Sequence, residues 1–221
     1  MGILLVVSML FIGKETASYV GSASIKIQQP CVVIDAGHGG EDPGKVGING
    51  ALEKDINLQI ALLVKQYLEQ NDIRVVMTRE DENSLNDANA SNKKVQDMKR
   101  RIALIEEAAP LLTVSIHQNS YPEEYVHGAQ VFYYEGSTQG KQLAEVIQNQ
   151  FVKRVDPENK RQIKANDSYY LLKKTQTPIV IVESGFLSNQ AEAEKLCTRE
   201  YQERTAWAIH MGILQYLNGS D

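Results

Sequence analysis

Three short aliphatic runs constrain this chain more than anything else in it. Val32-Val33-Ile34, Leu111-Leu112-Thr113-Val114-Ser115-Ile116 and Ile179-Val180-Ile181-Val182 are uncharged and rich in β-branched residues, as suits strands covered on both faces. Elsewhere the apolar spacing switches to threes and fours. Ile56, Ile60, Leu63, Val64, Tyr67 and Leu68 make one such stripe, and Val95, Met98, Ile102 and Ile105 make a second, closed off by Pro110. That is the spacing of helices lying on a sheet. A strand, a helix and then a strand at Ile73–Arg79 imply a parallel pair, so the fold class is α/β. With 221 residues and 43% hydrophobic content, the chain forms one domain around one core.

Further along, Gly128–Tyr134 reads as a strand, and Leu143, Val146, Ile147 and Phe151 as a third helix. Residues 153–168 read as a charged surface excursion, and Tyr169–Leu172 as a short strand or extended piece. From Glu200 a last helix is expected to bury Trp207, Ile209 or Met211, Leu214 and Leu217.

Each aliphatic run delivers a residue that carries chemistry. The first exits through Asp35-Ala36-Gly37-His38-Gly39-Gly40, the second into His117 and the third into Glu183. Ligands of open α/β sheets bind at the carboxyl ends of strands, and glycines let backbone pass close to whatever His38 holds. Two histidines and a glutamate are a familiar zinc set that leaves one coordination position open. Zinc in such a set would lower the pKa of water to about 7 and polarise a scissile carbonyl. A hydrolase then needs a group that moves a proton from water to the leaving nitrogen. Glu183, at the end of a buried strand, suits that role, because burial raises a carboxyl pKa. Asp35 and Asn119 are the expected supports for the ligands. Glu53 opens the first helix, where an acid often only offsets the helix dipole, so its role depends on its company. His127 and His210 read as structural.

Several functions are set aside. A net charge of −5 argues against nucleic acid as a main partner. Lys93-Lys94 and Lys99-Arg100-Arg101 read as a solvated helix face. Gly39-x4-Gly44-Lys45 mimics a phosphate loop, but Val46 stands where a Ser or Thr would hold magnesium. Cys31 and Cys197 form no CxxC pair and read as isolated thiols packed as small hydrophobes, with a bridge between them left open. Residues 2–12 carry no charge, too short for a membrane span but matching a signal-peptide core. Residues 1–30 are therefore expected to be a signal peptide or membrane anchor with its linker. The remaining residues 31–221 are expected to form the working domain of an exported protein.

Taken together, Asp-Ala-Gly-His-Gly-Gly, Leu-Glu-Lys-Asp with Asn-Leu following, Thr-Arg at 78–79, Ser-Ile-His-Gln-Asn and Val-Glu-Ser-Gly-Phe-Leu-Ser-Asn resemble the zinc-dependent N-acetylmuramoyl-L-alanine amidases of the Amidase_3 type. The resemblance spans residues 31–217, and His-Gly-Ala-Gln-Val-Phe-Tyr-Tyr favours the germination-specific subgroup of spore formers. It implies a mostly parallel sheet of about six strands between helices. It also implies His38, Glu53 and His117 as Zn2+ ligands and Glu183 as catalytic acid/base. The implied reaction cuts the amide between N-acetylmuramic acid and L-alanine of peptidoglycan, ahead of muramic-δ-lactam formation in the spore cortex, where a separate deacetylase completes the step. An activating partner in the spore envelope is a further implication, and the membrane is met only through the N-terminal segment.

Ala36 departs from the family's usual proline. The chain also lacks the inserted regulatory helix of the cell-division amidases, which implies no built-in lid. Two competing readings are a non-catalytic wall-binding relative and a zinc peptidase cutting elsewhere in the stem peptide.

Overall fold

The structure is a computed structural model that describes residues 29–219. The expected signal or anchor segment lies almost wholly outside the described residues. Among these, no helix is long and apolar enough to cross a membrane.

Six strands form one sheet in the order β2-β1-β3-β6-β4-β5. β1 (Cys31–Ala36), β2 (Arg74–Met77), β3 (Leu112–Asn119) and β6 (Ile179–Phe186) are parallel neighbours. β4 (Gln130–Tyr134) runs antiparallel to β6, and β5 (Lys164–Asn166) lies parallel to β4 at the edge. The helices are α1 (Glu53–Glu69), α2 (Lys93–Ala108), α3 (Thr138–Arg154), α4 (Tyr170–Lys174), α5 (Gln190–Leu196) and α6 (Arg199–Leu217).

Strand alternation divides the core between the two faces. Ile34, Val114, Ile116 and Val182 meet α1, α3 and α6 through Ile60, Ile147 and Ile209. Val33, Ile179 and Ile181 face the other way, against Ile105 of α2 and Leu171 and Leu172 of α4. The α/β class, the mostly parallel sheet and the helices on both faces agree with the expectation.

Four local expectations are corrected. Tyr169–Leu172 is not a strand, since Tyr170–Lys174 is a helical turn. In a strand Leu171 and Leu172 would point to opposite faces, whereas one helical turn admits both to the same cluster. The excursion at 153–168 contributes edge strand β5, whose polar Lys-Ala-Asn sequence carries no alternation to read. On α6 the closely packed positions are Ala206, Ile209 and Ile213, while Trp207 stays 42% exposed at the margin, edge-on to Tyr67. On α2 the expected stripe is rotated: Val95 is 47% exposed, and Arg101 of the supposedly solvated face is fully buried. Cys31 is buried and Cys197 is exposed, and both are free thiols.

Candidate metal centre

On β3 and β6 the residues that share the α2 and α4 side are Thr113, Ser115 and His117, and Ile179, Ile181 and Glu183. His117 and Glu183 are register partners on these parallel strands, so their side chains leave the sheet side by side at its carboxyl edge. The ladder shifts register between His117 and Asn119, an irregularity of the kind that re-aims side chains beside active sites.

His38 leaves β1 with φ 63, a left-handed conformation that costs a non-glycine residue energy. Two buried arginines hold this turn. Arg101 donates from Nη1 to the Ala36 carbonyl at 2.8 Å and from Nη2 to the His38 carbonyl at 2.6 Å. Arg79 donates to the carbonyls of Ala36 and Gly37 at 2.9 and 3.1 Å. Two glycines let the backbone close on the site. A side chain at Gly37 would overlap the His117 ring, and a Cβ at Gly44 would lie 2.5 Å from Glu53 Oε2.

Glu53 reaches the same point from the first turn of α1. Its Oε1 lies 3.2 Å from His38 Nε2 and 2.9 Å from His117 Nδ1. The same oxygen accepts from Gln118 N at 3.1 Å and Asn57 Nδ2 at 3.3 Å, while Oε2 accepts from Lys45 N at 2.7 Å. His38 Nδ1 is engaged by Asp42 Oδ2 at 2.9 Å, which leaves Nε2 to face the cluster. One ligand atom from each of His38, Glu53 and His117 falls within 4.8 Å of the other two.

The electrostatics follow from this packing. Burial alone would raise the Glu53 carboxyl, but the hydrogen bonds of His117 and His38 hold it far below the usual carboxylate range. For His38, burial works against protonation, and Glu53 and then Asp42 outweigh it, so the net shift is upward. Glu183 has no such donors. Burial pushes its carboxyl up to about 7, opposed by His117 and reinforced by Glu53. Its Oε2 is buried with no hydrogen-bond partner among the described residues, as are atoms such as Ser184 Oγ and Thr205 Oγ1; such an atom calls for an explanation, and a catalytic role is one. A cavity of about 300 Å³ opens beside these groups, with His38, His117 and Glu183 in its wall. Two imidazole nitrogens and a carboxylate oxygen, gathered around one point with no protein cation among them, are a donor set that fits a divalent metal.

The expected supports are corrected in part. Asp35 does not touch the cluster; it binds Arg101 Nη1 at 2.6 Å and Thr78 Oγ1 at 2.7 Å, and so acts through the arginine that holds the His38 turn. Arg101 and the hydroxyls of Ser115 and Thr78 keep Asp35 ionised, down at about 2, against its burial. Asn119 turns its side chain to the Ser120 amide instead. The residues that do brace the cluster are Asp42, Asn57 and Gln118. Each sits four positions or fewer from a candidate ligand, which was the available signal. Arg79 entered only as part of the Thr-Arg motif and Arg101 as one of a solvated basic run, because only the fold brings them beneath His38. His127 and His210 stand outside the cluster, the latter buried on α6 with Nε2 3.1 Å from Asn71 Nδ2.

Comparison with known proteins gives this geometry a family. Residues 32–215 match the Amidase_3 profile, described as N-acetylmuramoyl-L-alanine amidase. The germination-specific N-acetylmuramoyl-L-alanine amidase of Bacillus subtilis is 35% identical over 87% of this chain and 82% of its own length. Among solved structures, the CwlD amidase from Clostridioides difficile, in complex with the GerS lipoprotein, is 38% identical with a TM-score of 0.84, over 86% of this chain and 99% of that one. The amidase AmiC2 of Nostoc punctiforme is 34% identical with a TM-score of 0.76, over 86% and 98%. The chain therefore belongs to the Amidase_3 family and is an N-acetylmuramoyl-L-alanine amidase, cleaving the amide between N-acetylmuramic acid and L-alanine of peptidoglycan.

Proposed function

We propose that His38, Glu53 and His117 hold zinc and that Glu183 is the acid/base of the amidase reaction. The observation that carries this reading is the position of Glu183: level with His117 in the sheet ladder, with a buried oxygen that has no protein partner. When bound, zinc supplies Lewis-acid polarisation of the carbonyl and lowers the pKa of water to about 7. Glu183 as carboxylate takes the proton from the attacking water and passes it to the nitrogen of the departing L-alanine, so that the C–N bond breaks with an acid on one side and an amine on the other. The protein contributes preorganisation: Asp42 fixes the His38 ring, Asn57 and Gln118 fix Glu53, and the arginines fix the turn that carries His38.

The biological setting we infer is the exported, extracytoplasmic formation of spore cortex muramic-δ-lactam, in residues 31–221 carried outside the cytoplasm by the N-terminal segment. Similarity to a germination-specific amidase supports it. A spore-envelope partner is part of the same reading, supported by similarity to an amidase whose structure is in complex with a lipoprotein.

The test is mass spectrometry of fragments released from peptidoglycan by the zinc-loaded full chain, with Glu183→Gln as control. Free stem peptides beginning with L-alanine, absent from the control, are expected. Fragments with alanine still on muramic acid would mean a peptidase, and equal release by the control would remove Glu183 from the mechanism.

A further inference from the structure

We propose that Glu192 is a positioning residue for the amidase reaction: its buried carboxylate splices the end of β6 to the start of β4 and so fixes the direction in which Glu183 enters the site. The inference rests on the amidase reading above, in which Glu183 moves the proton. Glu183 stands at the last regular rung on both sides of its strand. Toward β4 the pairing ends at Gln130, directly opposite Glu183. Toward β3 the ladder passes from His117 opposite Glu183 to Asn119 opposite Phe186, three residues of β6 against two of β3. That count marks a bulge at Ser184-Gly185.

Glu192, on α5, bridges this fork. Its Oε2 accepts from Phe186 N at 2.8 Å, three residues beyond Glu183. Both of its oxygens accept from Gly128 N, at 3.0 and 3.1 Å, two residues before Gln130. Glycines permit the approach: Gly128 has φ 98, and a Cβ at Gly185 would lie 3.5 Å from the Glu192 carboxyl carbon.

Helix capping does not account for this geometry. Asn189 caps α5 by accepting from Glu192 N at 2.9 Å, and a glutamate at this third position ordinarily reaches back to the capping residue's own N–H. Here Asn189 N donates to the Phe186 carbonyl instead, and the Glu192 side chain turns to the sheet. Burial pushes the Glu192 carboxyl up, against the pull of the Phe186 and Gly128 amides, so holding it there is unfavourable in a way that an exposed cap is not. A carboxylate suits the position because it offers two acceptor oxygens and no donor. Glutamine would turn its NH2 toward one of the two amides and leave that N–H unpaired.

The experiment is a double-mutant cycle between Glu192→Gln and Glu183→Gln, using the zinc-loaded full chain and a soluble muropeptide. In the parent, Glu192→Gln is expected to lower kcat about tenfold, as a misplacement of roughly half an ångström would. KM, and zinc affinity by chelator competition, are expected to stay unchanged. In the Glu183→Gln background the same substitution is expected to cost nothing further, because it acts through the group already removed. Glu194→Gln, an exposed neighbour on α5, should leave kcat as it is. Equal losses in the two backgrounds, or no loss in either, overturn the positioning role. Should Glu192→Gln not fold, Glu192→Asp keeps the charge, shortens the reach and carries the same cycle, with a smaller loss confined to the background that retains Glu183. A crystal structure of zinc-loaded Glu192→Gln separates this inference from the activity. Glu183 displaced by about 0.5 Å or more, with no turnover in the parent, would sustain the positioning role and sink the amidase mechanism. Turnover with Glu183 undisplaced and kcat unchanged would do the reverse.

Discussion

Arg101 and His38 are joined across 63 residues by one hydrogen bond: the buried guanidinium donates from Nη2 to the His38 carbonyl oxygen at 2.6 Å. The same guanidinium neutralises the equally buried Asp35 at 2.6 Å. Metal-binding geometry and core electrostatics therefore share one side chain.

Replacing it should damage both. Arg101→Met leaves Asp35 as an uncompensated buried charge, a loss of about 3–5 kcal/mol, and frees the left-handed turn at His38. Urea denaturation of the metal-free chain should report the first effect, and zinc affinity by chelator competition the second. The double variant Arg101→Met with Asp35→Asn should recover much of the stability and none of the affinity. Recovery of both would deny Arg101 a positioning role.

Asp42 braces His38 without sharing the arginine network. Asp42→Ala should leave urea stability almost unchanged while weakening zinc binding by roughly 10- to 100-fold, the usual cost of losing a carboxylate that orients a ligand histidine. Unchanged zinc affinity would mean that the ring is held by packing alone.

Glu183 makes a prediction whose sign can be worked out. Its native carboxyl sits at about 7, above the ordinary value of 4.5, so the native state holds an extra proton between these values. Stability of the metal-free chain should therefore fall as pH rises across that window. Glu183→Gln lacks this loss and should gain on the parent between pH 4 and pH 8, by about 3 kcal/mol at most. For the zinc-loaded parent, kcat/KM should rise through an acid limb below the metal-free value, because a dication beside Glu183 favours its carboxylate and makes it a competent base at lower pH. In Glu183→Gln, activity should drop by about 10²- to 10⁴-fold with zinc still bound.

Much of this architecture was legible from residue order alone. β-Branched runs make strands and threes-and-fours make helices because burial periodicity is a local property of the chain. The same locality exposed His38, His117 and Glu183, since each comes within four residues of the end of a readable aliphatic run. The packing of neighbours could not be read that way. Leu171 and Leu172 fit a strand or a helix equally until a second apolar cluster exists to receive both. Arg101 looks like one more solvated cation until the crossover from β2 lays α2 over Asp35 and the His38 turn. Glu53 passes for a dipole-compensating acid until α1 brings it within 3.2 Å of His38 and 2.9 Å of His117. Sequence by itself determined the elements and the chemistry at their ends, because hydrophobic patterning acts within a few residues. Tertiary structure alone decided which buried charges meet, because pairing and desolvation depend on neighbours that are distant along the chain.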